Sequence, residues 1–414
     1  MKKDIIIIGA GVVGLMCAYS LHKAGRKVTI IDEGDISDCT SFGNAGLLSA
    51  FDKAPLSNPG VVLDTLKLML KGESPVTIHP KLDYKLFRWL FKFVQNANEN
   101  RVKKTLALFE KYGQNTIDLY KKMQEEDNLD FDFHHDGMLS VFTEQKSYDK
   151  KLSMYKVADN EIFQIIDKTK IKDYLPCAND KIKGAILFKR NAHLDPKRVM
   201  LELKNYLSSN GVEFILNEKI IDIKFKDNNV SSISSSSNTY EAQRYIMSTG
   251  YQTLLADIRK QELIMTPAKG YSLTFTMPKE LQAKTSTLFA DLFLIMTPRR
   301  DDVRLTSKLE LGSTNPKVVE KQINSIMENF KKYTIPFEIQ NIKQWSGFRP
   351  LTPNDMPLIG RDEQYNNLFY AMGLGWLGMT FAPSVAEILK EMIIKDLANK
   401  NCDDVLLFSG FYQG

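Results

Sequence analysis

The residues with the clearest chemical purpose stand near the start of the chain. Gly9-Ala10-Gly11-Val12-Val13-Gly14 is a GxGxxG run. An apolar stretch over 4–8 precedes it, and a helix-like segment over 15–24, Gly25 and a second apolar run over 27–31 ending at Asp32 follow it. Strand, glycine turn, helix and second strand in that order predict a unit that binds a dinucleotide. Gly9 permits the tight turn, Gly11 lets the backbone approach a diphosphate, and Gly14 lets helix and strand pack closely. The helix N-terminus then faces the anion with unpaired N–H groups and the positive end of its dipole, so Ala10, Val12 and Val13 join the glycines as expected contacts. Asp32 is spaced to accept from a ribose hydroxyl, with Glu33 as the adjacent alternative. NAD and FAD present the same adenosine diphosphate to such a unit, and the run does not separate them.

Further segments carry similar chemistry. Residues 40–46, Thr-Ser-Phe-Gly-Asn-Ala-Gly, are small and polar and suit a loop or helix start whose backbone donors reach a ligand. Residues 244–248 predict a buried strand ending at Thr249-Gly250, where the backbone can come close to another group. Late in the chain a strand over 368–372 meets Gly373-Leu374-Gly375-Trp376-Leu377-Gly378-Met379-Thr380 and a helix over 381–396. That second glycine turn offers backbone N–H groups to another negative group, such as a reduced flavin.

The whole chain must position these pieces. Its 414 residues are 43% hydrophobic and 25% charged, the make-up of a globular protein, which excludes a disordered chain, collagen or a coiled-coil rod. One core normally splits at this length, so two domains are expected. The formal charge of +5 is small and interspersed, which argues against nucleic-acid binding and leaves room for a mildly basic membrane-facing patch. Cys17, Cys39, Cys177 and Cys402 lie far apart with no CxxC, so neither disulfides nor zinc are expected, and a reducing, cytoplasmic compartment fits. No export signal is expected, and no apolar stretch approaches the roughly 18 residues of a membrane span, so membrane contact would be peripheral.

Helices are predicted over 62–72 and 84–97. In the second, Leu86, Leu90, Phe93 and Ala97 mark an apolar face widened by Phe87, Phe91 and Val94, with Lys85, Arg88 and Lys92 elsewhere around it. Such a helix packs on its own domain or touches anionic lipid. Asp136-Gly137 between 130–135 and 138–143 predicts a hairpin. His134 and His135 would point to opposite faces of a strand, a poor chelate, so no metal site is expected. Short strands over 213–216, 220–226 and 230–234 follow, the last two joined by a turn at Asn228-Asn229.

Taken together, GAGVVG at 9–14, SFGNAG at 41–46, AKGYS at 268–272, GFRPLTPNDMPLIG at 347–360 and GLGWLGMT at 373–380 closely resemble the D-amino acid oxidase superfamily of flavoproteins. Within it the likeness is to the bacterial D-amino acid dehydrogenases of small-subunit type, nearly end to end. The resemblance implies an α/β (α+β) two-domain fold. A Rossmann-like FAD-binding domain would be assembled from 1–60, 185–255 and 345–414. A substrate domain from 61–184 and 256–344 would cover the flavin with a mixed, largely antiparallel sheet. Gly9, Gly11, Gly14 and Asp32 would serve the adenosine diphosphate. Ser41, Asn44, Ala45, Gly46 and Leu47 would lie near the flavin, and Gly250 would also approach the cofactor. Gly375, Leu377, Gly378, Met379 and Thr380 would line its ribityl and pyrimidine side. Many relatives have Gly-His-Gly where this chain has Gly373-Leu374-Gly375.

The implied reaction oxidises a D-amino acid to an imino acid while FAD is reduced; water then yields the 2-oxo acid and ammonium. Electrons would pass to a quinone or respiratory carrier at the cytoplasmic face of the membrane. The substrate carboxylate needs a fixed cation, and Arg349 is the candidate, because its planar fork binds a carboxylate in two places and relatives place a substrate arginine in the matching segment. Tyr271 is the second candidate, as a phenol that can hydrogen-bond the same carboxylate. No histidine or carboxylate in these motifs stands out as a base. A dioxygen-using glycine, sarcosine or D-amino acid oxidase of the same fold, and a flavin-binding subunit that no longer turns over, are the alternatives. No cysteine falls in AKGYS or GFRP, so the flavin is expected to be non-covalent. Acid precipitation should therefore release the flavin into the supernatant; flavin that stays with the pellet contradicts this.

Overall fold

The computed structural model describes residues 2–37, 39–49, 58–60, 74, 76–79, 83–155, 161–251 and 264–409. The helix expected over 62–72 lies outside them. The elements that build the site are β1 (Lys3–Ile8), α1 (Val12–Lys23), β2 (Val28–Ile31), α2 (Tyr84–Asn96), α3 (Glu99–Asp127), β3 (Ala242–Met247), β4 (Thr266–Thr276), β5 (Val303–Leu311), β6 (Gln340–Leu351), β7 (Leu368–Met372) and α4 (Gly378–Ile394).

β1 is apolar on both sides because both of its faces are covered. Ile5 and Ile7 enter the core beneath α1 and α4, while Ile6 and Ile8 join Ile223, Val230 and Ile233 of a small antiparallel sheet on the other face. The sheet order is Leu358–Arg361, β7, β3, β1, β2, Glu213–Ile215, parallel throughout except at the first pair. α1 packs between α4 and the helix Pro196–Ser209, and α3 adds Phe109, Tyr112, Ile117 and Tyr120 to the same core.

The second sheet has nine strands among the described residues. β6, β4 and β5 run into Leu294–Pro298, Ser286–Phe289, Met138–Phe142, Gly184–Phe188 and Phe163–Ile166, and Val76–Ile78 joins β5. Pairing is antiparallel except where Ser286–Phe289 meets Met138–Phe142 and Val76–Ile78 meets β5. The mixed, largely antiparallel sheet implied by the resemblance is present. The helix Glu320–Lys332 covers one face through Ile323, Ile326 and Phe330. The boundary expected at 344/345 falls inside β6, and that at 184/185 inside Gly184–Phe188.

Asp136-Gly137 does not close a hairpin. Met138–Phe142 is buried at every position and pairs with Gly184–Phe188 and Ser286–Phe289. A central strand needs neighbours that are apolar on both faces, which residues 130–135, with Asp130 and Asp132, do not supply. The turn before the strand Asn229–Ser234 sits one residue earlier than expected, with Asp227 and Asn228 both at positive φ (49° and 57°). No helix of the described residues is long and apolar enough to cross a membrane.

A Cβ on Gly14 would lie 1.9 Å from the Gly9 carbonyl oxygen, whereas one on Gly34 would find only an ordinary 3.5 Å contact. Gly14→Ala is expected to cost about 1–3 kcal/mol or more by forcing α1 off β1, with Gly34→Ala near neutral. Chemical unfolding of the two variants checks the difference.

Candidate active site

β1 delivers Ile8 to a turn that requires glycine. Gly9 has φ +107°, a Cβ there would lie 2.5 Å from the Ser248 carbonyl oxygen, and its N–H donates to Ile31 O at 2.8 Å. Gly11 caps α1 with extended backbone and no side-chain acceptor. A Cβ on it would meet only Ser41 Oγ, at 3.6 Å, the same oxygen that accepts from Val12 N–H at 3.1 Å. Other N–H groups of that first turn have no carbonyl a turn earlier, the arrangement that takes a diphosphate.

Asp32 ends β2 as expected, and its carboxylate accepts from Ala10 N–H at 2.6 Å and Gly34 N–H at 2.8 Å. Burial raises its pKa against the pull of those two bonds. The acid thus ties the glycine turn to β2, with lone pairs left for a ribose hydroxyl. Glu33 is exposed and pairs with Lys219 at 3.1 Å. Beyond β3, Thr249 Oγ1 is buried with no hydrogen-bond partner among the described residues, and Gly250, at φ +63°, has open space where a Cβ would go. An unsatisfied buried hydroxyl costs about 1–3 kcal/mol, so this corner suits a polar group of a ligand.

Residues 40–46 cross from the first sheet to the second. Thr40 Oγ1 donates to Phe348 O at 3.1 Å, and Arg304 of β5 donates from Nη1 to Phe42 O and to Asn44 O. The Trp345 ring lies against Gly43, 2.1 Å from where a Cβ would be. Asn44 Oδ1 accepts from Gly46 N–H at 2.8 Å, and Gly46 turns at φ +79° against Leu194 O. Ala45 and Leu47 are buried.

Trp345, Gly347 and Arg349 share one face of β6, because alternate strand residues project the same way. Ala268 stands opposite Arg349, and Gly270 opposite Gly347. With no side chain at that glycine pair, the guanidinium of Arg349 lies over Gly270, its Nη1 2.2 Å from where a Cβ would stand, and Trp345 lies over Gly347. β5 bulges here, with Lys308 at φ +66°, and Lys308 O accepts from Arg349 Nη1 at 3.3 Å. No carboxylate among the described residues pairs with Arg349, and burial pulls its pKa down to about 10. It stays charged at neutral pH with most of its donors uncommitted, which suits a planar anion.

The end of β6 meets the second glycine turn through a bridge between Leu351 and Leu374. Gly373 and Gly375 take φ +73° and +55°, a short turn Gly375–Leu377 follows, and α4 begins at Gly378. A Cβ on Gly378 would lie 3.9 Å from Val12 Cγ1, so the N-termini of α1 and α4 converge from opposite ends of the chain. Leu377, Met379 and Thr380 are buried behind the turn, and Tyr120 Oη donates to Met379 O at 2.9 Å. Leu374, where the resemblance expects histidine, is buried in the core beneath α1 and α4.

Tyr271 is not brought to this face, which corrects its expected role beside Arg349. It is one residue out of phase with Gly270 and so projects to the opposite side of β4. There it packs with Leu273, Phe275 and Phe330, and its hydroxyl donates to Glu310 at 3.0 Å; burial first, then that carboxylate, raise its pKa. Conversely, Gly270, Trp345 and Arg304 shape the site without having been singled out. Gly270 and Trp345 lie within or beside recognisable segments, whereas Arg304 sits in an unmarked strand.

A model of the FAD-dependent oxidoreductase family DAO matches residues 4–392. The chain belongs to this family. A D-amino acid dehydrogenase of Helicobacter pylori is 48% identical over 414 residues, 100% of both chains. Another, of Vibrio vulnificus, is 27% identical over 399 residues, 94% of this chain and 95% of its own. Among solved structures, glycine oxidase from Geobacillus kaustophilus superposes at a TM-score of 0.75 over 99% of this chain and 98% of its own, at 18% identity, a likeness of fold. The two converging helix N-termini, the open cradle at Gly11 and the buried Thr249 hydroxyl fit FAD in this flavoenzyme.

Beside Leu47 this oxidoreductase carries a histidine–carboxylate cluster. His193, which pairs in register with Leu47, stacks on His134 with ring centroids 5.0 Å apart. His134 Nε2 lies 3.3 Å from Asp132 Oδ1, and that bond, aided by Arg300 N–H and opposed by burial, brings Asp132 down to about 2 while raising His134. The depressed carboxyl contributes stability above its ordinary pKa near 3.8, lost as pH falls toward 2; the raised imidazole contributes below its ordinary 6.5, lost as pH rises through its folded value. His134 is half exposed, so solvent screening leaves a few tenths of a kcal/mol. His134→Gln should therefore lower stability at about pH 5.5 and have little effect near pH 9, read from denaturant midpoints at both.

Proposed function

We propose that the chain oxidises D-amino acids to 2-oxo acids and ammonium and passes the electrons to a quinone or other respiratory carrier. The observation that carries this is Arg349, a charged guanidinium without a carboxylate partner among the described residues, on the sheet face that meets residues 40–46 and the α4 turn. The substrate class and the choice of carrier over dioxygen are taken from the 48% identical relative.

FAD, when bound, supplies the two-electron acceptor for the substrate Cα–H bond. Gly9, Gly11, Gly14 and Asp32 would hold the adenosine diphosphate together with the Val13 N–H and with Ala10 and Val12, whose own N–H groups are held by Asp32 and Ser41. Ser41, Asn44, Ala45, Gly46, Leu47 and Gly250, and Gly375, Leu377, Gly378, Met379 and Thr380, would hold the rest. Arg349 would take the substrate carboxylate in two places, fixing orientation as well as charge. The flat Gly270–Gly347 pair leaves that fork unobstructed, and Trp345 closes one side of it. Loss of hydride needs a neutral amine, and with no base at the face among the described residues the substrate would enter deprotonated or lose its proton to water. We further propose two domains, divided along the two sheets, with β6 and the crossing at 40–46 as the joints between them.

Arg349→Lys keeps the charge and loses the fork, and Arg349→Ala loses both. Losing a desolvated charge partner costs about 2–5 kcal/mol, so kcat/KM should fall by orders of magnitude with the flavin spectrum intact. Tyr271→Phe should leave kcat/KM within a few-fold but cost about 1 kcal/mol of stability through the lost bond to Glu310, which keeps Gln322 Nε2 at 2.7 Å. Steady-state kinetics with a dye acceptor and thermal unfolding separate the two; a catalytic collapse in Tyr271→Phe with unchanged stability would reverse the assignment.

A further inference from the structure

The cationic fork of Arg349 has polar neighbours on its own sheet face. Ser272 stands two residues beyond Gly270 on β4 and so projects to the same side. In register, Trp345 of β6 and Thr306 of β5 flank it. Ser272 and Thr306 are only 2% and 6% exposed, and Thr306 Oγ1 has no hydrogen-bond partner among the described residues. The pattern continues across the sheet. Thr297 and Ser286, on the next two strands, project to that face as well, and their buried hydroxyls also lack partners among the described residues. Buried hydroxyls are normally paired, and several left over on one face point to a ligand or ordered water that completes them. Cations stand on both sides of the row: Arg349 over Gly270, and Arg304 and Lys308 two residues to either side of Thr306.

We propose that Thr306 and Ser272 hold the amino group of the substrate whose carboxylate Arg349 takes. Residues two apart on one strand face stand about 7 Å from each other. The carboxylate and amine of a single 2-amino acid, with a hydrogen bond of about 2.9 Å at each end, bridge that separation. The guanidinium over Gly270 and the hydroxyl pair at Ser272 and Thr306 are placed for such a bridge. A hydroxyl oxygen accepts from an amine N–H whether or not the nitrogen carries its extra proton, whereas the cations around the row disfavour the ammonium form. The row therefore favours the neutral amine from which hydride is lost, without a side-chain base. This assignment rests on the function proposed above and adds to it the groups that recognise the second end of the substrate.

The test uses the FAD-loaded enzyme and compares Thr306→Val, which keeps the shape and removes the hydroxyl, with Thr306→Ser, which keeps the hydroxyl; Ser272→Ala is the third variant. With D-alanine and a dye acceptor, kcat/KM should fall about tenfold or more in Thr306→Val and in Ser272→Ala, and stay within a few-fold in Thr306→Ser. Propionate, which has the carboxylate and lacks the amine, should perturb the flavin spectrum with an unchanged Kd in all three, because Arg349 is untouched. Flavin content and thermal midpoint confirm that each variant is folded. Full activity in Thr306→Val or Ser272→Ala overturns the proposal. So does a loss that Thr306→Ser shares, or a parallel loss of propionate binding, which would assign the row to the fold or to the carboxylate end. Failure of every D-amino acid to reduce the wild-type flavin is a different result, which overturns the substrate reading and this one with it.

Discussion

A half-buried guanidinium with no carboxylate against it among the described residues is costly for a fold to hold. Arg349 is kept there by a glycine pair that leaves room for its plane and by a bulged strand that turns one carbonyl toward it. Its surroundings repeat the same sign. The N-termini of α1 and α4 converge, and Arg304, pulled down to about 9 by burial and by Arg299 nearby, pins the 40–46 segment through its carbonyls. Such a concentration of positive ends in a partly dry space suits anions, which in the function proposed above are a diphosphate, a flavin that gains negative charge on reduction, and a substrate carboxylate.

That requirement explains why the site is assembled from distant parts of the chain. The anion-binding end of α1 depends on Gly9 and Gly14 for its close seat on β1, on Asp32 to hold the turn, and on Ser41 to take the Val12 N–H. Ser41 belongs to a segment whose next residues are bonded to the second sheet. The same segment thus sets the distance between the α1 N-terminus and the sheet face that carries Arg349. β6 does likewise from the other side, with Trp345 against Gly43 and Leu351 against Leu374.

What was legible in the sequence is what local chemistry dictates. The glycine turns, the buried strands at 4–8 and 368–372 and the amphipathic helix beginning at Tyr84 depend on spacing within a few residues, and they were readable to within a residue or three. The face of Tyr271 was not readable, because it depends on register against β6 and on a bulge in β5, both set by partners tens of residues away. The Asp136-Gly137 turn misled for the same reason: a strand as apolar as Met138–Phe142 chooses partners by burial, not by proximity. In α2 the excess of apolar residues was visible, but only tertiary packing tells which stripe Leu86 and Trp89 bury and which is left outside. Arg304 carried no local signal at all.

In the function proposed above, the cationic face of this flavoenzyme receives the carboxylate of a D-amino acid. Anaerobic mixing of the purified protein with separate D- and L-amino acids, glycine and sarcosine, while recording flavin absorbance, tests it directly. Rapid bleaching by D-amino acids, with L-isomers inert and colour restored faster by a quinone than by air, is the expected result. Bleaching confined to glycine or sarcosine with peroxide formed on reoxidation, or no bleaching by any amine, would contradict it.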